Sequence, residues 1–443
     1  MKKHWIPLEC CALCLLLGGS GSVSAQSTGA ARKHAVADPS ARALNDLLNS
    51  AQAAIDKQDY KTAAQSYSDY LAKKPDDATV HYDLGYVYSA LNRPADAKSE
   101  YERAIALDPK MAAAYLNLGV TLLGSDPAAA VEPLEKAAEL FPQDARTKWL
   151  LGTALEQNGK LPAAIEQYQA AKKLDDANFK IRLALGHALL LAGRPADAET
   201  EYHAALALHG TAVELAEAHR GLAATLIAEK QLPEGAAELA LYLESQPNDS
   251  NARVEHASVL VDLNRYDDAL AELDRAATAG PEDLGTLKLR SDIYWKQKRF
   301  ADAVPVLQKA AELAPRDPDI SARLGEVYLQ KKDYPNAVHW LAAAYNMNPK
   351  ATDVLADLVD AEFESKNYAQ ALGALDALAK RQELPLTSWY VRAVCYDNLG
   401  QAAQALDAYK KFLQLNADEN SDMYFISTAR VRVLTREMQN KKR

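Results

Sequence analysis

Large apolar, small and polar residues alternate along this chain in a pattern that returns every few helical turns. From Tyr115 to Leu122, bulky residues fall three and four apart at Tyr115, Leu118 and Leu122. That spacing puts them on one face of a helix. A small residue sits inside each such run: Gly85, Gly119, Gly152, Gly186 and Gly325, with Ala257 and Ala393 in weaker copies. A second run follows in which two alanines flank one large residue, as in Ala97–Tyr101–Ala104, Ala164–Tyr168–Ala171, Ala303–Leu307–Ala310 and Ala337–Leu341–Ala344. Glycine inside a helix costs roughly 1 kcal/mol against alanine. Its return at one fixed place predicts that a second helix packs close against the first.

The turns between the two runs agree. Asn92-Arg93-Pro94-Ala95-Asp96-Ala97 parallels Gly193-Arg194-Pro195-Ala196-Asp197-Ala198. Gly or Asn ends the first helix, and Pro or an acidic residue opens the second. Each pair of runs closes at Pro75, Pro109, Pro142, Asp176, Gly210, Pro247, Pro281, Pro315, Pro349, Glu383 and Ala417. The steps are 34, 33, 34, 34, 37, 34, 34, 34, 34 and 34 residues. The longest step carries three additional residues, placed here in a longer connection around His209-Gly210-Thr211. No alternating strand pattern competes with this reading.

A period near 34, with His81-x-x-Leu84-Gly85-x-x-Tyr88, then Ala97-x-x-x-Tyr101-x-x-Ala104 and Pro109, resembles the tetratricopeptide repeat. The resemblance implies an all-α fold, a right-handed α-solenoid of stacked helix–turn–helix units. About eleven units would fill residues 44–417, with a C-terminal capping helix over 418–443. In that last helix Met423, Ile426, Val433 and Met438 form a loose apolar stripe.

The family commonly uses residues two, five, nine and twelve into each first helix to line a concave groove. Carried onto this sequence, the resemblance nominates Tyr82, Tyr86, Leu116, Trp149 and His187 in the first half. In the second half it nominates Asp292, Trp295, Glu326, Asp360, Phe363, Tyr390 and Asp397. Such a groove is apolar and aromatic early and acidic late. It would suit a protein or peptide with apolar anchors and basic residues. Some cytosolic members clamp acidic C-termini with Lys and Asn at fixed groove positions. Those positions here hold Tyr82, Tyr86, Asn117, Val120, Leu183 and His187, which is not that set.

Composition narrows the picture. A net charge of -10 argues against nucleic acid, which calls for a basic face. Lys2 and Lys3, the apolar run from Cys10 to Leu17 and Val23-Ser24-Ala25 resemble a secretory signal over residues 1–25, cleaved after Ala25. A flexible lead-in over 26–43 would follow. The run is too short for a spanning helix, so no transmembrane segment is expected after cleavage. Cys11-Ala12-Leu13 before Cys14 is a poor match to a lipid-attachment motif. These features predict a periplasmic or secreted protein of bacterial type. Cleavage leaves Cys395 as the only cysteine.

The search for chemistry finds no Gly-x-Ser-x-Gly elbow, phosphate loop or His-Glu-x-x-His, and the histidines are scattered. No catalytic, metal or cofactor site is therefore expected. The sequence points to an interaction scaffold or adaptor of the cell envelope. An accessory subunit of an envelope enzyme or export complex, and a self-associating structural protein, are the other readings.

Overall fold

The computed structural model describes residues 39–416, 418 and 420–440. The expected signal sequence, most of the lead-in, and Ala417 lie outside the described residues. All regular structure among the described residues is helical, in twenty-three helices. Contacts divide the chain into two compact units, Met1–Ser245 and Gln246–Arg443.

The first unit holds six hairpins: α1 (Pro39–Asp56) with α2 (Tyr60–Leu71), α3 (Ala78–Ala90) with α4 (Pro94–Leu107), α5 (Ala112–Leu123) with α6 (Pro127–Leu140), α7 (Ala145–Gln157) with α8 (Leu161–Leu174), α9 (Phe179–Leu191) with α10 (Pro195–Leu206), and α11 (Ala212–Ala228) with α12 (Leu232–Ser245). The second holds five: α13 (Ser250–Asp262) with α14 (Tyr266–Ala279), α15 (Leu284–Lys296) with α16 (Phe300–Leu313), α17 (Pro318–Gln330) with α18 (Tyr334–Met347), α19 (Thr352–Glu364) with α20 (Tyr368–Ala379), and α21 (Leu386–Asn398) with α22 (Ala402–Leu415). A last helix, α23 (Asp422–Asn440), packs on α22. Each unit is thus an all-α stack of helical hairpins. The first helix begins at Pro39, inside the stretch expected as lead-in.

The small residues sit where the hairpin closes. A Cβ built on Gly85 would lie 2.7 Å from the Tyr101 ring, and one on Gly119 would lie 2.5 Å from Leu134 Cγ. Gly152 meets Tyr168 and Gly325 meets Leu341 in the same way. Tyr101, Leu134, Tyr168 and Leu341 are all buried, as are the alanines that flank them. The glycine therefore exchanges helix propensity for the close approach of a large side chain.

Capping follows a rule the periodicity does not show. Asp77, Asp144, Asn178, Asp249, Asp283 and Asp317 each cap a first helix through the side chain. Each stands two residues after a closing position. The side-chain oxygen accepts an amide that the helix cannot otherwise satisfy.

A second recurrent device ties a hairpin to the turn before it. His81 pairs with Glu100 at 2.6 Å, Arg182 with Glu201 at 2.9 Å, His219 with Glu238 at 2.6 Å and Arg253 with Glu272 at 2.5 Å. Each pair spans nineteen residues within a hairpin. Three of these first-helix side chains also bond the carbonyl of the closing residue before them, Pro75, Asp176 or Pro247. One side chain thus pins the inter-unit turn to the hairpin that follows.

The three additional residues go mostly into helix, and the connection from Leu206 to Ala212 is five residues where most between hairpins are four. Helix α11 runs to seventeen residues, where most first helices have thirteen. Thr211 and Glu214 form a reciprocal capping box that starts it early. With both terminal amides satisfied, an additional turn of helix is more stable than a loop.

The expected stripe on the final helix is also corrected. Met423, Ile426 and Val433 are exposed, while Ser427 and Leu434 are buried and Val431 and Met438 pack on the end hairpin. Helix α23 is therefore turned so that its polar-flanked face packs and much of its apolar face looks outward.

Candidate protein-binding faces

Within each unit, several first helices of consecutive hairpins approach one another more closely than the second helices do. The first-helix side is the inner face of each stack. Direct contacts run along it: Asn117 Nδ2 donates to the Tyr82 hydroxyl at 3.2 Å, and His187 Nδ1 lies 2.5 Å from Glu156 Oε1.

In the first unit this face is apolar and aromatic. Leu116, Val120, Trp149, Leu183 and Leu190 are half-buried against the core, beside Tyr82. Tyr86 is exposed. The indole N–H of Trp149 is buried without a hydrogen-bond partner among the described residues. Glu156 accepts from the Tyr168 hydroxyl at 2.7 Å while it holds His187, so His187 is tied between α7 and α9. Burial pushes the Asp83 carboxyl on α3 up to about 6, with the charge of Asp77 adding to it.

In the second unit the face is acidic. Asp353, Asp357, Asp360 and Glu364 lie four, three and four apart on α19, which sets them on one stripe. None of the four makes a hydrogen bond or ion pair through its side chain among the described residues. The Asp357 carboxyl is pushed up to about 6, by desolvation first and then by the charges of Glu326, Asp360 and Asp353. Desolvation and Glu364 raise Asp360 as well. Asp357 stands one residue from a groove position of the repeat register.

Neighbouring α17 supplies one cation. Arg323 reaches Glu326 at 2.9 Å and Asp292 at 3.5 Å, and its guanidinium lies 5.0 Å from the Trp295 ring centre. A depression between α17 and α19 is lined by Asp319, Arg323, Glu326, Lys350, Asp353 and Val354. Trp295 and Phe363 are half-buried, each edge-on to the aromatic residue that opens the next helix, Phe300 or Tyr368.

The last two nominated residues belong to the end hairpin. Tyr390 stacks at an angle on Phe412, 5.5 Å away. Asp397 is gripped by Arg430 of α23 through two bonds of 2.6 and 2.7 Å, and accepts a further one from Tyr409. Its carboxylate is thereby occupied.

Family models described as tetratricopeptide repeat match residues 54–118, 123–179, 183–250, 254–318, 288–352 and 356–420. The chain belongs to the tetratricopeptide-repeat family. Among curated proteins, the bovine (Bos taurus) protein SGT1 homolog is 30% identical over 138 residues, which is 30% of this chain and 41% of that protein. The match therefore spans less than half of that relative. Among solved structures, YrrB, described as a TPR protein with an unusual peptide-binding site, is 21% identical with a TM-score of 0.39, covering 43% of this chain and 97% of YrrB. PilF of Pseudomonas aeruginosa is 20% identical with a TM-score of 0.41, covering 47% and 93%. The Cut9 complex with Hcn1 gives 14%, 0.33, 88% and 96%. Likenesses at this level carry no function to this tetratricopeptide-repeat protein. No helix among its described residues is long and apolar enough to cross a membrane.

Proposed function

We propose that this chain is an interaction scaffold of the cell envelope, exported by its N-terminal signal, that receives a protein or peptide on its first-helix faces. The family is generally one of protein-interaction scaffolds. The partner we infer presents apolar or aromatic anchors to the Tyr82–Trp149 face, basic residues to the α17–α19 face, or both.

One observation carries the second half of that proposal. Four carboxylates share a stripe on α19 with no ion pair among the described residues, and Asp357 is held at about 6 by burial first and by the neighbouring charges of Glu326, Asp360 and Asp353 after it. Like charges crowded on one face, with Asp357 partly buried among them, are unfavourable for the free protein. A cationic partner relieves that cost, so its binding gains what the fold alone loses.

Selection from a random peptide library tests this. Recovered peptides should be enriched in Lys or Arg beside an aromatic or aliphatic residue. Asp357→Asn/Asp360→Asn and Trp295→Ala should each weaken such a peptide tenfold or more, read by fluorescence anisotropy. Acidic peptides, or affinity unchanged in both variants, would refute the assignment.

A further inference from the structure

Helix α23 ends the second unit, and its outward face is unlike a solubilising cap. Phe425 is 62% exposed, and Met423, Ile426 and Val433 are exposed with it. Phe425, Ala429 and Val433 recur at four-residue spacing with Ile426 three before Ala429, so they form one stripe on a helix of nineteen residues. The opposite face, through Ser427, Val431, Leu434 and Met438, is packed or buried. The outward orientation is therefore fixed by the fold.

Two arginines stand on the outward side of that helix. Arg432 and Arg436 are exposed on it, and neither makes an ion pair among the described residues. Arg430, by contrast, is spent on Asp397. From residue 422 to the C-terminus the sequence carries six Lys or Arg against two acidic residues, in a chain of net charge -10. The acidic members are Asp422 and Glu437.

We propose that α23 docks this protein on an anionic lipid bilayer, lying in the plane of its surface. The side chains protrude from a convex helix instead of lining a cleft, so they suit a medium that deforms around them. Phenylalanine and aliphatic residues enter the boundary between headgroups and acyl chains, while arginines meet the lipid phosphates. This is a second surface, apart from the first-helix faces, and does not depend on them.

The test uses the full chain and vesicles of phosphatidylcholine with or without phosphatidylglycerol, read by co-sedimentation. Binding should require phosphatidylglycerol and weaken with salt. It should fall at least tenfold in Phe425→Ser/Ile426→Ser and in Arg432→Glu/Arg436→Glu. All four positions are exposed, so melting by circular dichroism should match the parent. Three results would overturn the proposal. One is no binding to either vesicle. Another is binding kept in both variants, which assigns it to another segment such as the apolar run near residue 10. The last is a concentration-dependent dimer, seen by sedimentation velocity, that both variants abolish; a second copy then covers the stripe.

Discussion

Ahead of ten of the eleven second helices one residue adopts the left-handed backbone, from Gln58 and Asn92 to Lys366 and Gly400. Each stands two residues ahead of a second helix. Asn92 and Gly193 were legible from composition. Lys230, Lys298, Lys332 and Lys366 were not, because the left-handed state costs a lysine only about 1–2 kcal/mol and the stack overrides it. Lys332→Gly should therefore raise the melting temperature, and Gly193→Ala, which meets no atom within 4 Å, should lower it through backbone strain alone. Calorimetric melting of the two variants checks both signs. The nineteen-residue side-chain pairs were equally hidden, since helical periodicity is blind to pairing across a hairpin. Glu272 is buried and bound by Arg253 and Arg275. Arg253→Met should cost about 3 kcal/mol by leaving that carboxylate poorly compensated. Adding Glu272→Gln should restore more than half of the loss in urea denaturation.

At the scale of the element, the hairpin was the part most open to reading from sequence. The Gly85–Tyr101 and Gly325–Leu341 contacts sit where the small residues and the alanine-flanked large ones predicted them. Ala303 is fully buried, while Asp302 is exposed and bonded only to Arg299 of its own turn. Ala303→Trp should destabilise by about 1–3 kcal/mol through overpacking, and Asp302→Ser should leave the melting temperature near that of the parent. Equal effects would contradict the hairpin register. Two elements departed from expectation for local reasons. The capping box at Thr211 and Glu214 turned expected loop into helix. The rotation of α23, set by Ser427 and Leu434 against the end hairpin, turned the expected stripe outward. Neither depends on periodicity, so neither showed in it.

At the scale of the whole molecule, the acidic residues of the second unit were legible as a list but not as a surface. Which carboxylates crowd together depends on helix rotation, and Asp357 lay one position from the expected phase. Asp83 and Asp357 both sit at about 6, above the ordinary value of 3.8, and each binds protons more readily in the folded chain. Stability from these groups therefore falls as pH rises from about 4 to about 6. Asp83→Asn and Asp357→Asn should raise the melting temperature at pH 7.5, with the gain fading toward pH 4. A gain that grows on acidification would reverse the sign of the account.

The central claim is that the α17–α19 face receives a cationic partner. Calorimetry of a selected basic peptide at pH 6, repeated in buffers of different ionisation enthalpy, counts the protons exchanged on binding. Pairing with a cation ionises Asp357, so the account predicts release of up to about half a proton, lost in Asp357→Asn. Proton uptake, or no exchange in the parent protein, would contradict it.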